Sequence, residues 1–285
     1  MAKLHFNKVT ILGVGLIGAS FALALKKKRL CNQITGYGRR ENNLRRAKEM
    51  KIIDSLELDA ANACIDSDLI LFSMPVGSFT ETAKMMKGSL KDGAIVTDVG
   101  SVKGELVKKM EGLMPGGVSF VGGHPIAGSD RTGIDTATAD LFIGAKCILT
   151  PTEKTDKTAL NKITELWNAL GAVTSILSPD KHDRVYAAVS HLPHIIAYAI
   201  VNTVADIDSS YLKFAGQGFK DTTRIASSSP ELWRDICLMN RENLLEFIEI
   251  FKKNLDGLGR YLQESDSDAL EKEFNKAKTL REDVR

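Results

Sequence analysis

Three glycines spaced as Gly13-x-Gly15-x-x-Gly18 stand between an apolar run, Val9 to Leu12, and a stretch of helical character, Leu16 to Lys27. No other feature restricts the fold as much. The first glycine permits a tight turn out of a strand, the second lets an anion approach bare backbone, and the third lets helix and strand pack closely. The helix start offers unpaired N–H groups and the positive end of a dipole. Such a junction suits the pyrophosphate of a dinucleotide, with Gly13, Gly15, Leu16, Ile17 and Gly18 around it. Val9 to Leu25 is nearly uncharged and follows Lys3 and Lys8, the outline of a signal peptide. The glycine spacing and the lack of a small-residue cleavage site favour a buried strand entering a buried helix.

The first half continues this alternation. Val9 to Leu12, Ile34 to Tyr37, Leu69 to Phe72 and Ile95 to Thr97 read as short buried strands. Leu16 to Lys27, Asn42 to Met50, Phe79 to Met86 and Lys103 to Met110 read as helices between them. Further strands are expected at Ser119 to Val121, Lys146 to Leu149 and Val173 to Leu177, with a helix over Lys157 to Leu170. This is the pattern of a parallel sheet covered on both faces. After Pro179 the chain turns helical: His182 to Val204, interrupted by Pro193, then Pro230 to Leu262, then a charged stretch from Asp266 to Arg285. The expected fold is α/β, with a Rossmann-type dinucleotide-binding domain over 1–178 and an all-helical domain over 179–285.

Composition excludes more than it selects. With 44% hydrophobic and 26% charged residues and a net charge of +2, the chain is ordinary globular material. It makes no case for a nucleic-acid or membrane partner, and no segment besides the N-terminal one reads as long and apolar enough to cross a bilayer. Cys31, Cys64, Cys147 and Cys237 are far apart and form no CxxC pair, so they read as reduced thiols of a cytoplasmic protein, without a metal.

Past the second strand the sequence runs Gly36-Tyr37-Gly38-Arg39-Arg40, so a glycine stands where an NAD enzyme carries an acid for the ribose 2′-hydroxyl. Without that acid nothing repels a 2′-phosphate, and Arg39 or Arg40 can bind one. NADP is therefore favoured and NAD remains open, with Glu41 as a substitute acid.

Three further segments concentrate polar residues at sharp turns: Thr97 to Lys103, Gly122 to Ser129, and Ser190 to His194 followed by Gly218 to Arg224. Ligands of parallel sheets lie beyond the carboxyl ends of the strands, where Ser101 and His124 would sit. Together, GHPIAGS, SHLPH and GFKDTTRIA, in this order behind the glycine fingerprint, closely resemble the prephenate/arogenate dehydrogenase family over nearly the whole chain.

That resemblance implies oxidative decarboxylation of a cyclohexadienol carboxylate in tyrosine biosynthesis, with hydride passing to NAD(P). It implies His124 as the acceptor for the substrate hydroxyl, a task suited to an imidazole. Ser101 would orient the imidazole or the nicotinamide. Arg224 would bind a carboxylate with both arms of its guanidinium, steadied by Asp221 three residues earlier. Ser190 and His194 would face the substrate, and His191 would support the site. Ser73, Pro75 and Ser101 join the glycines and arginines around the cofactor. A homodimer through the helical domain is implied too, since Val185, Val189, Ile195, Ile196, Tyr198 and Ile200 supply more apolar surface than one small domain needs.

Other expectations are narrower. A HxxxH metal reading fails, because His191 and His194 are three apart and no third ligand is evident. His5 and His182 read as surface residues. No chorismate mutase segment precedes the fingerprint and no regulatory domain follows, so a monofunctional enzyme is expected. Asp130 bears on the choice between the two substrates, since an acid near the site would favour arogenate. The competing classes are a β-hydroxyacid dehydrogenase, which would need a lysine on the long helix, and a non-catalytic NADP sensor, which would leave His124, Ser101 and Arg224 without work.

Overall fold

The computed structural model describes residues 4–128 and 133–283. The chain divides into two units, Met1–Asn240 and Arg241–Arg285.

In the first unit, six parallel strands form the main sheet: β1 (Phe6–Leu12), β2 (Cys31–Tyr37), β3 (Ser55–Glu57), β4 (Leu69–Phe72), β5 (Ile95–Asp98) and β6 (Ser119–Val121). Their order is β3-β2-β1-β4-β5-β6, the doubly wound arrangement in which the strand order reverses beside β1. The four residues of β4 are completely buried, as a strand covered by helices on both faces must be. Each such apolar side chain contributes roughly 1.5–3 kcal/mol on burial. Leu12 is level with both Tyr37 and Phe72, and Phe72 with Asp98. The loops at Gly13, Gly38, Ser73 and Val99 therefore leave the sheet along one edge.

Helices α1 (Leu16–Lys28), α2 (Glu41–Glu49), α3 (Ala60–Cys64), α4 (Phe79–Met86) and α5 (Gly104–Leu113) connect these strands. After β6 the chain enters a second sheet through β7 (Gly123–Pro125), which pairs antiparallel with β8 (Lys146–Leu149); β9 (Val173–Ile176) lies parallel on the other side of β8. The expected strands at 146–149 and 173–177 thus belong to a separate three-stranded sheet. Neither β3 nor β7 was expected. Each is three residues long and, unlike β6 with Phe120 and Val121, has no adjacent apolar pair to mark it. Helix α6 (Lys157–Ala169) packs Trp167 against Phe21 and Phe142, with ring centroids 5.4 and 5.1 Å away.

The helix expected over 182–204 is three segments. Helix α7 (Pro179–Tyr186) starts with Ser178 capping and Pro179 at its first turn, a π-helical turn spans Ala187–His191, and α8 (Leu192–Asp208) follows. Pro193 lacks an N–H and its ring crowds the carbonyl four residues back, so the chain widens just before it. Helices α9 (Gln217–Thr223) and α10 (Pro230–Met239) complete this unit. The second unit holds α11 (Arg241–Glu264) and α12 (Ser267–Glu282).

One exclusion needs correcting. The helical run Pro179–Phe214 contains a window of mean hydropathy 1.3 that is long and apolar enough to cross a membrane, and only 17% of it is buried in the single chain. Near its start, Asp180, Lys181, His182, Asp183 and Arg184 form an unbroken run of ionisable residues. The apolar stretch behind them is the one whose surplus apolar surface the sequence already assigned to a dimer contact, not to a bilayer.

Candidate active site

The β1–α1 junction has the expected form. Gly13 has φ +102°, and a side chain there would collide with the backbone of Ser73 and Met74 at 2.7 Å. Around Gly15 nothing lies within 4 Å of where a Cβ would stand, and no side chain caps the helix start. The open space and the uncapped N–H groups fit a pyrophosphate. Ser73 Oγ donates to the Gly13 carbonyl at 2.6 Å, so this hydroxyl shapes the turn. Pro75, partly buried, begins the next short helical turn.

Beyond β2, Arg39 and Arg40 are exposed and have no ion-pair partner among the described residues. Glu41 is held by Arg45, 2.5 Å away. A side chain at Gly38 would meet only Leu44, at an ordinary 3.6 Å. The missing acid is therefore not a steric necessity.

At the end of β5 stands a fully buried ion pair. Asp98 Oδ2 accepts from Lys103 Nζ at 2.6 Å and from the Gly100 N–H at 2.8 Å, and Oδ1 accepts from the Gly123 N–H at 3.0 Å. Lys103 Nζ also donates to the Gly100 and Val102 carbonyls. All three ammonium donors are used, which a buried lysine requires. The pair folds the loop carrying Ser101 back on itself and fastens it to the strand carrying His124.

His124 lies in β7, opposite Ile148, and not in a loop as its Gly and Pro neighbours suggested. Its Nδ1 is 2.9 Å from His182 Nε2. His182 Nδ1 is 2.8 Å from Asp183 Oδ1. Asp183 in turn accepts from the Lys103 and Gly104 N–H groups at 2.7 Å, closing the start of α5. Tyr186 packs its ring 4.9 Å from His124 and 4.5 Å from His182. The expectation that His182 is a surface residue is wrong: it is fully buried. His5 is exposed, as expected, and meets Asn32. Ser101 is partly exposed, and its hydroxyl makes no hydrogen bond to another described residue. The imidazole of His124 is oriented by His182 and not by Ser101.

Burial is the main force holding His124 well below the usual imidazole range, and His182, Lys103 and His191 push the same way. The residue as a whole remains partly exposed. Burial also lowers His182, against the opposing pull of Asp183. Both rings are neutral at neutral pH.

The helical segments supply the opposite wall. His191 is fully buried and pushed down to about 4, chiefly by burial. Asn240 Nδ2 donates to the Asp183 carbonyl at 2.8 Å and lies 3.0 Å from His191 Nδ1. His194 Nδ1 donates to the Ser190 carbonyl at 3.0 Å, which leaves Nε2 with a lone pair. Trp233 stacks on His194, centroids 3.4 Å apart, and meets His191 edge-on. Burial lowers His194, the Ser190 carbonyl opposes that shift, and the positive charge of Arg224 adds to the lowering. Asp221, exposed, accepts from Gln217 at 2.8 Å. Asp130 and Ser129 lie outside the described residues. No group of three or more His, Cys, Asp or Glu fit to hold a metal occurs among the described residues.

Two family models match: the prephenate dehydrogenase nucleotide-binding domain over residues 21–176, and the prephenate dehydrogenase dimerization domain over residues 178–276. The chain belongs to the prephenate dehydrogenase family. A prephenate dehydrogenase of Bacillus subtilis is 33% identical over 280 residues, 97% of this chain and 76% of that protein. The crystal structure of Aquifex aeolicus prephenate dehydrogenase with hydroxyphenyl propionate and NAD+ matches with TM-score 0.93 and 38% identity, covering 99% of this chain and 100% of that one. Synechocystis arogenate dehydrogenase matches with TM-score 0.81 and 30% identity, covering 98% and 100%.

Within this family frame, four neighbours of the expected site residues were missed in the sequence: His182, Asp183, Trp233 and Asn240. The first two sit in Pro179-Asp180-Lys181-His182-Asp183-Arg184, whose charge density reads as a solvated face. A faint signal was present. His182 and Tyr186 are four apart on α7, so they share one face of it.

Proposed function

We propose that this protein oxidises and decarboxylates prephenate or arogenate, passing the hydride to NADP in preference to NAD. The observation that carries the reading is His124, a neutral imidazole with its Nδ1 engaged and its Nε2 making no hydrogen bond to another described residue. It follows Gly123, whose N–H is bonded to Asp98 at the end of β5, the end of the main sheet at which the Gly13–Gly18 turn also leaves β1.

A dinucleotide held at the Gly13–Gly18 turn would supply the acceptor for the hydride that leaves C4 of the substrate ring. His124 Nε2 accepts the proton of the C4 hydroxyl as the carbon–oxygen double bond forms. Loss of carbon dioxide from C1 leaves its bonding electrons in the ring, which becomes aromatic. His124 then returns the proton to the phenolate oxygen, so no proton is gained or lost overall. Arg224 binds a substrate carboxylate, and His194 offers its Nε2 lone pair from the platform of Trp233. Ser101 donates its unengaged hydroxyl to the reacting oxygen or to the nicotinamide amide. Ser190, His191 and Asp221 support this wall.

Support for NADP is the absent acid at Gly38, the ion pair that engages Glu41 with Arg45, and the exposed Arg39 and Arg40, which have no ion-pair partner among the described residues. The Aquifex relative was crystallised with NAD+; the preference proposed here rests on the β2–α2 loop of this chain. We further propose a cytoplasmic homodimer with its division near Ser178, the exposed apolar run 179–214 lying against the second copy. Its four cysteines are free thiols, as a reducing compartment requires.

The test is spectrophotometric: formation of reduced nicotinamide with each pairing of prephenate or arogenate with NAD or NADP. Turnover with NADP as the better cofactor is the expected result. No turnover in any pairing, from a protein that binds dinucleotide, would remove the reading.

A further inference from the structure

His182 and Asp183 have no part in the reaction as written above, yet they are among the most thoroughly enclosed polar groups in the molecule. Their hydrogen bonds fix which ring nitrogen carries the proton. Asp183 Oδ1 accepts from the Lys103 N–H and Oδ2 from the Gly104 N–H, both at 2.7 Å. A carboxylate whose two oxygens already face donors can only accept from a third. The contact at 2.8 Å therefore requires the proton of His182 to lie on Nδ1. A neutral His182 then has a lone pair on Nε2 and must accept from His124 at 2.9 Å. That places the proton of His124 on Nδ1 and its lone pair on Nε2. The opposite tautomer would set two lone pairs, or two N–H groups, against each other within this buried chain.

The choice is not available to an isolated imidazole, in which both tautomers are populated. Burial lowers His182 and so keeps it from becoming a doubly protonated donor that would reverse the order. The anchor is rigid: Asp183 binds the start of α5, whose first residues also hold Asp98 through Lys103. We propose that His182 and Asp183 are positioning residues that lock His124 in the Nδ1–H tautomer, keeping its Nε2 lone pair directed at the substrate hydroxyl.

This rests on the reading of His124 as the proton acceptor, and two measurements separate them. The chain has five histidines, so 15N-histidine labelling followed by two-bond proton–nitrogen correlation, assigned with single-histidine variants, reads each tautomer in the unreacted protein. Protons on Nδ1 of both His124 and His182 are expected. A proton on Nε2 of either ring would overturn the lock, whatever the protein catalyses.

Kinetics give the second measurement. In His182→Gln the amide oxygen can still accept from His124, whereas in His182→Leu nothing can. The Leu variant should lose about ten-fold or more in kcat with little change in the dinucleotide KM, and the Gln variant should recover most of the loss. Equal activity of the Leu and Gln variants would overturn the proposal. Full turnover in His124→Asn would instead remove the acceptor reading, and with it the catalytic purpose of the lock, while leaving the tautomers as measured.

Discussion

His182 Nε2 lies 2.9 Å from His124 Nδ1, joining a residue of α7 to a residue of the second sheet across 58 positions of sequence. The contact decides which nitrogen of His124 remains for chemistry. It also makes the start of the helical region a structural part of the site, and not merely the place where the sheets end.

Replacing His124 with Asn should lower kcat/KM by about 10²–10⁴-fold, the usual contribution of a positioned proton acceptor. The dinucleotide dissociation constant, read by fluorescence titration, should stay close to that of the parent. A loss confined to dinucleotide binding would place His124 in the cofactor site instead.

Cofactor choice should yield to one substitution. A side chain at position 38 meets only Leu44, at 3.6 Å, so Gly38→Asp can fold. Its carboxylate would accept from a ribose 2′-hydroxyl and repel a 2′-phosphate. The ratio of kcat/KM for NADP over NAD should fall by at least about ten-fold, equivalent to about 1.4 kcal/mol. An unchanged ratio would mean that Arg39 and Arg40 do not face the ribose.

Arg224→Lys keeps the charge but loses the planar fork. Charge-assisted hydrogen bonds of this kind are worth about 1.5–3 kcal/mol, so the substrate KM should rise by roughly 10–100-fold. The KM for the dinucleotide should not move. If both constants rise together, Arg224 is supporting the fold and not the carboxylate.

Acid should destabilise the protein through its buried histidines. His191 is held at about 4 when folded, against about 6.5 in an unfolded chain. Above the unfolded value both states are neutral and stability is independent of this group. As pH falls below it, the unfolded chain takes up a proton that the folded one refuses, and stability drops until the folded value is reached. His191 alone accounts for roughly 3 kcal/mol over that interval. His124, His182 and His194 are shifted in the same direction. Urea midpoints should therefore be level above about pH 7 and decline steadily towards about pH 4. A flat profile would mean that these rings are solvated.

Which features could be read from sequence follows from the range over which each one is determined. The Gly13–Gly18 turn, the buried run Leu69–Phe72 and helix α4 are set by neighbours in sequence, and their limits were legible to within a residue or two. Strand β7 exists because β8 offers a pairing partner more than twenty positions later, so His124 read as a loop residue. His182 read as solvated because the two residues on either side of it, Asp180, Lys181, Asp183 and Arg184, are all charged. Its ring is held by His124, 58 positions earlier, and by Asp183, which Lys103 and Gly104 fix from some eighty positions away. His124, Arg224 and the glycines could be singled out in the sequence because each stands in a local motif of its own. The partner that orients His124 could not be, because a hydrogen bond across the fold leaves no local pattern.

The most direct test of the whole account is product stoichiometry. With prephenate or arogenate and a nicotinamide dinucleotide, the protein should release one carbon dioxide and one aromatic phenol for each dinucleotide reduced. Dinucleotide reduction without carbon dioxide, leaving the ring non-aromatic, would make the protein a simple alcohol dehydrogenase and contradict the role given to His124 and Arg224.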